Sequence, residues 1–359
     1  MTTTFYPGDA YPVILGALQD SFPEWLRQRR PSKILLLTDA NTRRYCLPGF
    51  VVATGLPPET PVVEIPAGET FKHIGTCTEI WEQMLQAQLD RHALVINLGG
   101  GVIGDMGGFC AATWKRGVDF VQVPTTLLSM TDAAIGGKLG IDFQKVKNTI
   151  GVFQNPAAVF VDPAFLNTLY ERELRSGFAE VIKHALIGAP ELWEIIRDFT
   201  PEQLLTCSQE TWLDMLRQSI AVKVRVVTED PHEKGIRMLL NYGHTIGHAI
   251  ESYFLETDNP LTHGEAITIG MLAESWVYEQ RHSAQVPEAW IRLMLRIFPH
   301  RNIPLDIVPE IWQTMQQDKK NKAGTVRMTV PGSMELDMQV LEPSQGEVRD
   351  SLVYYNGLG

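Results

Sequence analysis

The sequence has few cysteines, and this shortage excludes two classes of protein. Four cysteines occur in 359 residues: Cys46, Cys77, Cys110 and Cys207. Neither their density nor their spacing fits a disulfide framework or a zinc ribbon. We therefore expect reduced thiols, as in the cytoplasm.

Positive charge and long apolar runs are also scarce. The chain has 31 basic and 42 acidic residues, a formal net charge of −11, which argues against a nucleic-acid or anionic-membrane partner. Basic side chains that serve a substrate must therefore be clustered locally. No eighteen apolar residues run together, and the segment MTTTFYPGDAYPV lacks a basic region followed by an apolar one. We predict neither a membrane span nor an export signal, and hence a cytoplasmic protein.

What the sequence does contain is a regular alternation of strand, turn and helix patterns between residues 33 and 161. This alternation predicts a parallel sheet with helices on both faces. Long helical periodicities follow, and 359 residues exceed what one hydrophobic core usually organises. We predict an α/β fold with a Rossmann-like nucleotide-binding domain at 1–160 and a mainly helical metal- and substrate-binding domain at 161–359.

Apolar runs and turn signals locate the individual elements. Strands are predicted at 33–38, 62–65, 93–98, 120–123 and 159–162, with a helix at 74–88. Further helices are predicted at 172–187, 190–198, 201–228, 238–253, 264–280, 287–298 and 309–319. Short strands are predicted at 326–330 and 352–355.

Three glycine clusters interrupt the apolar segments between residues 97 and 148. The first cluster, Gly99, Gly100 and Gly101, directly follows a predicted strand. Such a turn lets backbone N–H groups approach a ligand, and the next helix offers its positive N-terminus to a pyrophosphate. This pattern predicts a dinucleotide site, although a glycine cluster alone is also consistent with a tight turn.

Polar side chains follow two of the predicted strands, at the edge where open α/β sheets bind ligands. Thr125 and Thr126 come after the strand at 120–123, and Asp39 comes after the strand at 33–38. Asp39 is expected either to receive ribose hydroxyls or to cap a helix. Lys138 and Lys147 add positive charge in the same region, either for a phosphate or as solvated surface lysines.

The helical half contains histidines and one carboxylate–ammonium pair in apolar surroundings. His244 and His248 are four residues apart and share one helix face, whereas His263 lies just before another predicted helix. Glu180 and Lys183 lie three apart on a third helix. In one interpretation Glu180 and Lys183 pair with each other and the histidines are ordinary core residues. In the other, the carboxylate and two or three of the imidazoles form the oxygen and nitrogen ligand set of a catalytic zinc site. The spacing favours His244 and His248 but does not decide which histidines are ligands.

Several segments together carry a family resemblance. GGGVIGDMGGF, RGVDFVQVPTTLLSMTDAAIGGKLGID, KNTIG, ELRSGFAEVIKHALI, LNYGHTIGHAIES, THGEAITIGM and DKKNKAG resemble, in order and spacing, the 3-dehydroquinate synthase family of the sugar phosphate cyclase superfamily. The resemblance covers roughly residues 30–330. It implies NAD and a divalent metal, zinc or cobalt, as cofactors, and a homodimer as the assembly. The connection between His248 and His263 is longer than in the family.

The resemblance also implies roles for individual residues. The metal ligands fall on Glu180, His244 and His263, which makes His248 a substrate-contacting or proton-relay histidine. The substrate positions are Asp132, Lys138, Lys147, Asn148, Lys183, Lys223, Arg237, Asn241 and His248, with either Lys319 or Lys320. The NAD positions are Asp39, Glu69, Lys72, Gly101, Val102, Ile103, Gly104, Asp105, Thr125, Thr126, Lys138, Lys147, Phe165, Leu166, Asn167 and Thr168.

The activity that the resemblance implies is a carbon–oxygen lyase reaction of the shikimate pathway, which leads to aromatic amino acids. The sugar acid phosphate 3-deoxy-D-arabino-heptulosonate 7-phosphate is converted to 3-dehydroquinate and phosphate by transient oxidation with NAD, phosphate elimination, re-reduction and intramolecular aldol closure. The alternatives are another sugar phosphate cyclase, a metal-dependent NAD polyol dehydrogenase that releases NADH, and a metal-stabilised binding protein. The many cationic positions favour the acid substrate.

Overall fold

Two compact units make up the chain. A computed structural model describes residues 2–144, 146–255, 257–282, 285–317 and 325–359. The first unit comprises the chain up to residue 170 together with 208–228, and the second comprises 171–207 and 229–359. The segment 208–228 therefore packs with the first unit, whereas the sequence predicted a single domain boundary near residue 160.

The described residues form the following strands and helices. The strands are β1 Thr3–Phe5, β2 Val13–Leu15, β3 Ile34–Asp39, β4 Val62–Ile65, β5 Leu94–Gly99, β6 Asp119–Pro124, β7 Lys138–Phe143, β8 Val146–Phe153, β9 Ala158–Val161, β10 Met328–Ser333 and β11 Asp337–Leu341. The helices are α1 Phe22–Arg29, α2 Ala40–Tyr45, α3 Leu47–Thr54, α4 Ile74–Gln86, α5 Gly101–Thr113, α6 Glu171–Gly188, α7 Pro190–Ile196, α8 Pro201–Leu205, α9 Gln209–Glu229, α10 His244–Leu255, α11 His263–His282, α12 Glu288–Ile297, α13 Val308–Gln316 and α14 Gln345–Asn356.

A seven-stranded sheet organises the first unit, in the order β1-β2-β9-β6-β5-β3-β4. All neighbouring strands run parallel except the edge pair β1 and β2. Every residue of β5 is buried, as expected for a strand covered by helices on both faces. The predicted α/β class and the parallel sheet are confirmed, and each of the five predicted strands is present to within one or two residues.

The strand order reverses direction between β3 and β5. From β3 the chain continues to β4 on one side, and from β5 it continues to β6 and β9 on the other. A ligand crevice opens outside the carboxyl ends of the strands at such a reversal. Asp39 ends β3 and Gly99 ends β5, so both lie at this point.

Two predicted helices are interrupted. The predicted helix at 201–228 is two helices, α8 and α9, and that at 238–253 is a 3-10 helix, Ile236–Asn241, followed by α10. The second break lies at Gly243, whose φ of 80° is left-handed and ends a right-handed helix. His244 is therefore the first residue of α10 rather than a residue of its interior.

The predicted strand at 352–355 is wrong, because these residues belong to α14. Ser344 caps this helix by accepting a hydrogen bond from the backbone N–H of Glu347, and the Glu347 side chain accepts one from the Ser344 N–H. This S-x-x-E capping box outweighs the β-propensity of valine and tyrosine. The sequence analysis also missed α1 and the hairpin of β7 and β8. Among the residues described, no helix is long and apolar enough to cross a bilayer.

Candidate active site

A crevice lies at the carboxyl end of β5, where α5 begins. The space between its lining atoms, including open solvent at its mouth, is about 180 Å³. Because α5 starts at Gly101, the unpaired N–H groups of its first turn lie at this crevice. Such an arrangement suits a pyrophosphate. The lining residues are Gly99, Gly100, Gly101, Gly104, Gln122, Pro124, Ser129, Ala133 and Ala134.

The glycines of α5 also permit close packing of the helix on the sheet. A Cβ atom on Gly107 would lie 2.1 Å from Asn97 Oδ1, and one on Gly108 would lie 2.5 Å from Leu139 Cδ2. At such distances either the helix or the contacted side chain must shift before a Cβ atom fits. The motif GGGVIGDMGGF therefore specifies helix–sheet packing as well as the open turn.

Lys72 joins three predicted site segments of the first unit. Its Nζ lies 2.7 Å from Asp105 Oδ2 and 2.7 Å from Asn148 Oδ1, and only 4% of the residue is exposed. Burial by itself lowers the pKa of Lys72, but the attraction of Asp105 and Glu69 outweighs it, so the pKa lies above its usual value. The lysine is charged and ties the turn before α4 to α5 and to the β7–β8 hairpin.

Asp39 caps α2, which was one of its two expected roles. Its Oδ1 accepts a hydrogen bond from the N–H of Thr42 at 2.7 Å, and the Thr42 hydroxyl accepts one from the Asp39 N–H at 2.9 Å. This reciprocal capping fixes the carboxylate at the end of β3. Ribose binding by Asp39 remains a prediction.

The remaining predicted NAD residues follow β6 and β9. Thr125 is buried, and the Thr126 hydroxyl lies 2.8 Å from the Ser129 hydroxyl. Since β6 and β9 are parallel neighbours, the segments that follow them leave the same edge of the sheet. The residues after β9 form a 3-10 helix that contains Phe165, Leu166, Asn167 and Thr168.

Cations from distant parts of the sequence belong to the first unit. Lys223, on α9, is buried and forms an ion pair with Asp132, which lies in the π-helical turn Ser129–Ala133. Lys138 begins β7 and Lys147 lies on β8, and both side chains are partly exposed. The structure thus places three predicted substrate cations in the unit that also contains the glycine crevice. Lys319 and Lys320 lie outside the described residues.

In the second unit, three helices bring together one carboxylate and the predicted histidines. Glu180 lies on α6 and is fully buried, while His244 and His263 are the first residues of α10 and α11. Glu180 Oε1 lies 3.5 Å from the Nε2 atom of each of these histidines. His248 completes the cluster, since one ring nitrogen from each histidine lies within 4.8 Å of the other two.

Hydrogen bonds at the far side of the rings set the orientation of two histidines. His244 Nδ1 lies 3.0 Å from the Tyr242 carbonyl oxygen, and His263 Nδ1 lies 3.5 Å from Glu251 Oε2. A partner on Nδ1 orients the ring so that Nε2 points the opposite way, where it can bind a metal once it carries no proton. Both Nε2 atoms therefore face Glu180, and one carboxylate with two imidazoles is a donor set that fits a divalent metal. The sequence analysis missed Glu251, although it lies seven residues after His244 on the same helix face.

Close backbone contacts hold these helices together. A Cβ atom on Gly270 would lie 1.9 Å from the Gly243 carbonyl oxygen, and one on Gly264 would lie 2.2 Å from that of Ser176. Glycine at these positions lets α11 contact the segment before α10 on one side and α6 on the other. The glycines around the motif histidines are thus what allow Glu180 and the histidines, which lie on different helices, to meet.

The expected ion pair is also present. Lys183 Nζ contacts Glu180 Oε2, and both side chains are fully buried. Burial lowers the pKa of His263, but hydrogen bonds to Glu180 and Glu251 outweigh it and raise the pKa to about 9. A metal that binds here must displace this proton, so binding is favoured by higher pH.

Arg237 and Asn241 lie on the 3-10 helix just before His244. Arg237 is 1% exposed, and its Nη1 donates to the Pro231 carbonyl oxygen at 2.7 Å. Asn241 Nδ2 donates to Glu233 Oε1 at 2.8 Å. The loop at 230–235 therefore holds both side chains in place.

The structure combines an α/β nucleotide-type unit with a helical unit that holds a histidine–carboxylate cluster. The chain matches the family described as 3-dehydroquinate synthase N-terminal over residues 62–176 and that described as 3-dehydroquinate synthase C-terminal over residues 177–321. Together these matches cover most of the sequence. The chain belongs to the 3-dehydroquinate synthase family.

Individual relatives agree with this placement. The chain is 43% identical to the 3-dehydroquinate synthase of Rippkaea orientalis, over 80% of this chain and 76% of the relative. It is 34% identical to that of Parabacteroides distasonis, over 96% and 97%. Among solved structures, the 2-epi-5-epi-valiolone synthase of Streptomyces hygroscopicus, with NAD+ and Zn2+ bound, has a TM-score of 0.82 at 26% identity, with 97% of each chain covered.

Proposed function

We propose that this chain converts 3-deoxy-D-arabino-heptulosonate 7-phosphate to 3-dehydroquinate and phosphate, using NAD and a divalent metal, zinc or cobalt. The observation that carries the proposal is the position of Glu180 Oε1, 3.5 Å from Nε2 of both His244 and His263, in a member of this family. The reaction is a carbon–oxygen lyase step, and its substrate is a sugar acid phosphate.

Glu180, His244 and His263 are the proposed metal ligands. One carboxylate oxygen and two imidazole nitrogens leave a coordination position for substrate, as in catalytic zinc sites. The metal, when bound, polarises a substrate oxygen. His248 is part of the cluster but is not one of the three proposed ligands. We therefore propose that it moves a proton or contacts the substrate.

The NAD site is proposed at the reversal of strand order between β3 and β5. The backbone N–H groups at the start of α5 would hold the pyrophosphate, and Asp39 would accept ribose hydroxyls. NAD bound there would supply the hydride acceptor, and the NADH so formed would be the donor that returns the hydride. The solved valiolone synthase contains NAD+, which supports this assignment.

Buried and partly buried cations are proposed to bind the acid and phosphate groups of the substrate. Arg237 offers the planar fork that suits a carboxylate, and lysines suit a phosphate. The proposed substrate residues include Lys183, Lys223, Lys138 and Lys147. A polyol dehydrogenase, one of the alternatives that the sequence left open, has no anionic substrate that would require so many cations.

Assembly and location follow the family as proposals. We propose a homodimer that works in the cytoplasm. Light scattering during size exclusion should give twice the 40.2 kDa of one chain, and a mass of one chain would contradict the dimer.

The function is tested by incubating the protein with the heptulosonate phosphate, NAD and Zn2+. Mass spectrometry should identify 3-dehydroquinate, and phosphate should accumulate without a net rise in NADH absorbance. A reaction without NAD is the control and should give no product. Stoichiometric NADH release would instead indicate the dehydrogenase.

A further inference from the structure

Glu274 is a fully buried carboxylate on α11, three turns after His263. It accepts hydrogen bonds from three backbone N–H groups at the start of α10. Oε2 accepts from Gly243 at 2.8 Å, while Oε1 accepts from Thr245 at 2.9 Å and from Ile246 at 3.0 Å. The first N–H groups of a helix have no partner within the helix, so Glu274 supplies an acceptor and a negative charge at the positive helix end.

These N–H groups belong to the residues on either side of His244, so Glu274 fixes the backbone from which this imidazole projects. The same helix also holds Tyr242, because the Tyr242 hydroxyl lies 2.5 Å from the Ser275 hydroxyl and donates to the Met271 carbonyl oxygen at 3.3 Å. Tyr242 in turn contacts His244 Nδ1 through its carbonyl oxygen. Two side chains of α11 thus determine where His244 lies.

We propose that Glu274 is a positioning residue of the metal site, which directs His244 Nε2 toward Glu180 Oε1. The inference rests on the proposed metal ligands and adds to them a residue that contacts neither metal nor substrate. Hydrogen bonds to an ionised carboxylate are short and about twice as strong as neutral ones, so three of them hold a helix start firmly. Groups hydrogen-bonded directly to a metal-binding side chain change metal affinity by about 10–100-fold when they are removed. Glu274 acts one step further out, through the backbone beside His244, so the low end of that range is expected.

The test compares Glu274→Gln with Glu279→Gln. The glutamine keeps the shape of Glu274 but presents an NH2 group to at least one N–H, which loses its acceptor. Glu279 lies on the same helix and accepts from the backbone N–H of Val286, away from the histidine cluster. The readouts are the Kd for Co2+ and the visible absorption of bound cobalt, which reports ligand geometry.

We expect Glu274→Gln to raise the Kd at least tenfold and to shift the cobalt spectrum, and Glu279→Gln to stay within twofold of the wild type. If Glu274→Gln lowers only the stability and leaves both readouts unchanged, Glu274 supports the fold alone and the inference is wrong. If Glu274→Gln does not fold, Glu274→Asp serves instead. The aspartate keeps the charge, but its carboxylate lies one carbon further from the three N–H groups. We expect a rise in Kd smaller than the one expected for Glu274→Gln, and a wild-type Kd overturns the inference. Wild-type protein that binds no Co2+ would overturn the proposed metal site itself.

Discussion

Replacement of Gly264 by alanine tests how the packing of α11 on α6 brings His263 and Glu180 together. The added Cβ atom would lie 2.2 Å from the carbonyl oxygen and 2.5 Å from the Cα atom of Ser176, whereas ordinary contacts begin at 3.4 Å. Because the contacted atoms are backbone, no rotamer change relieves the clash. We therefore expect α11 and α6 to separate by about 1 Å at this crossing.

The magnitude follows from this separation. Overpacking of a core costs about 1–3 kcal/mol, and the hydrogen bond from the Gly264 N–H to the Ser176 hydroxyl, 3.0 Å long, would be strained as well. Glu180 lies one turn after Ser176, and His263 directly precedes Gly264. Metal–ligand distances tolerate only about 0.2 Å, so the shift is expected to weaken Zn2+ binding at least tenfold.

The assay measures Zn2+ affinity by competition with a chelator, and the free energy of unfolding of the metal-free protein in urea. Gly346→Ala is the matched control in the same unit, because its Cβ atom would lie 3.8 Å from the nearest atom, Ser344 Oγ. The control should keep its metal affinity and gain up to about 1 kcal/mol, since alanine favours a helix over glycine. Wild-type affinity and undiminished stability in Gly264→Ala would refute the close-packing argument.

Three further predictions concern the proposed site and the last helix. Glu180→Ala should lose metal and turnover, whereas His248→Ala should keep metal and lose rate; metal loss in both, measured by metal analysis, would favour a ligand pair that includes His248. Arg237→Ala should retain metal but lose more than a hundredfold in kcat/KM on the acid substrate, because the substrate carboxylate would be buried without its partner, which costs about 3–5 kcal/mol. The wild type should not turn over sedoheptulose 7-phosphate, which lacks the carboxylate. Turnover of that sugar at the rate of the acid would contradict this selectivity. The Arg281 guanidinium, by its hydrogen bond, lowers the pKa of Glu347 to about 2, below its unfolded value of about 4.3. This pair therefore stabilises the fold above about pH 4.3 and ceases to do so as the pH falls toward 2. The difference in free energy of unfolding between wild type and Glu347→Gln, measured by urea titration, should shrink over that range. A constant difference would contradict the assignment.

The sequence determined the local elements of this protein well where one local signal dominated. Strands β3 to β6 and β9 are continuous apolar runs because both sheet faces are covered, and such runs are recognisable without a structure. The predicted strand at 352–355 is wrong, because the capping box at Ser344 starts a helix and outweighs the β-propensity of valine and tyrosine. It also joined α10 to the preceding 3-10 helix, since a left-handed φ at Gly243 is not visible in a hydrophobic pattern.

The family resemblance supplied the proposed metal ligands, but only the tertiary structure decided how those residues are arranged. His244 and His248 share a helix face by spacing alone. That His263 and Glu180 join them depends on α6, α10 and α11 meeting at backbone distance. The same holds for α9, which belongs to the first unit although it follows three helices of the second.

The physical reason is the range of the interactions. Propensity, capping and hydrophobic periodicity act over a few residues, and these are legible in the sequence. The orientation of an imidazole depends instead on groups far away in the chain, such as Glu274, 31 residues from Gly243, and Ser176, 88 residues from Gly264. Those contacts exist only after the helices have packed, and they decide which histidine nitrogens face the carboxylate.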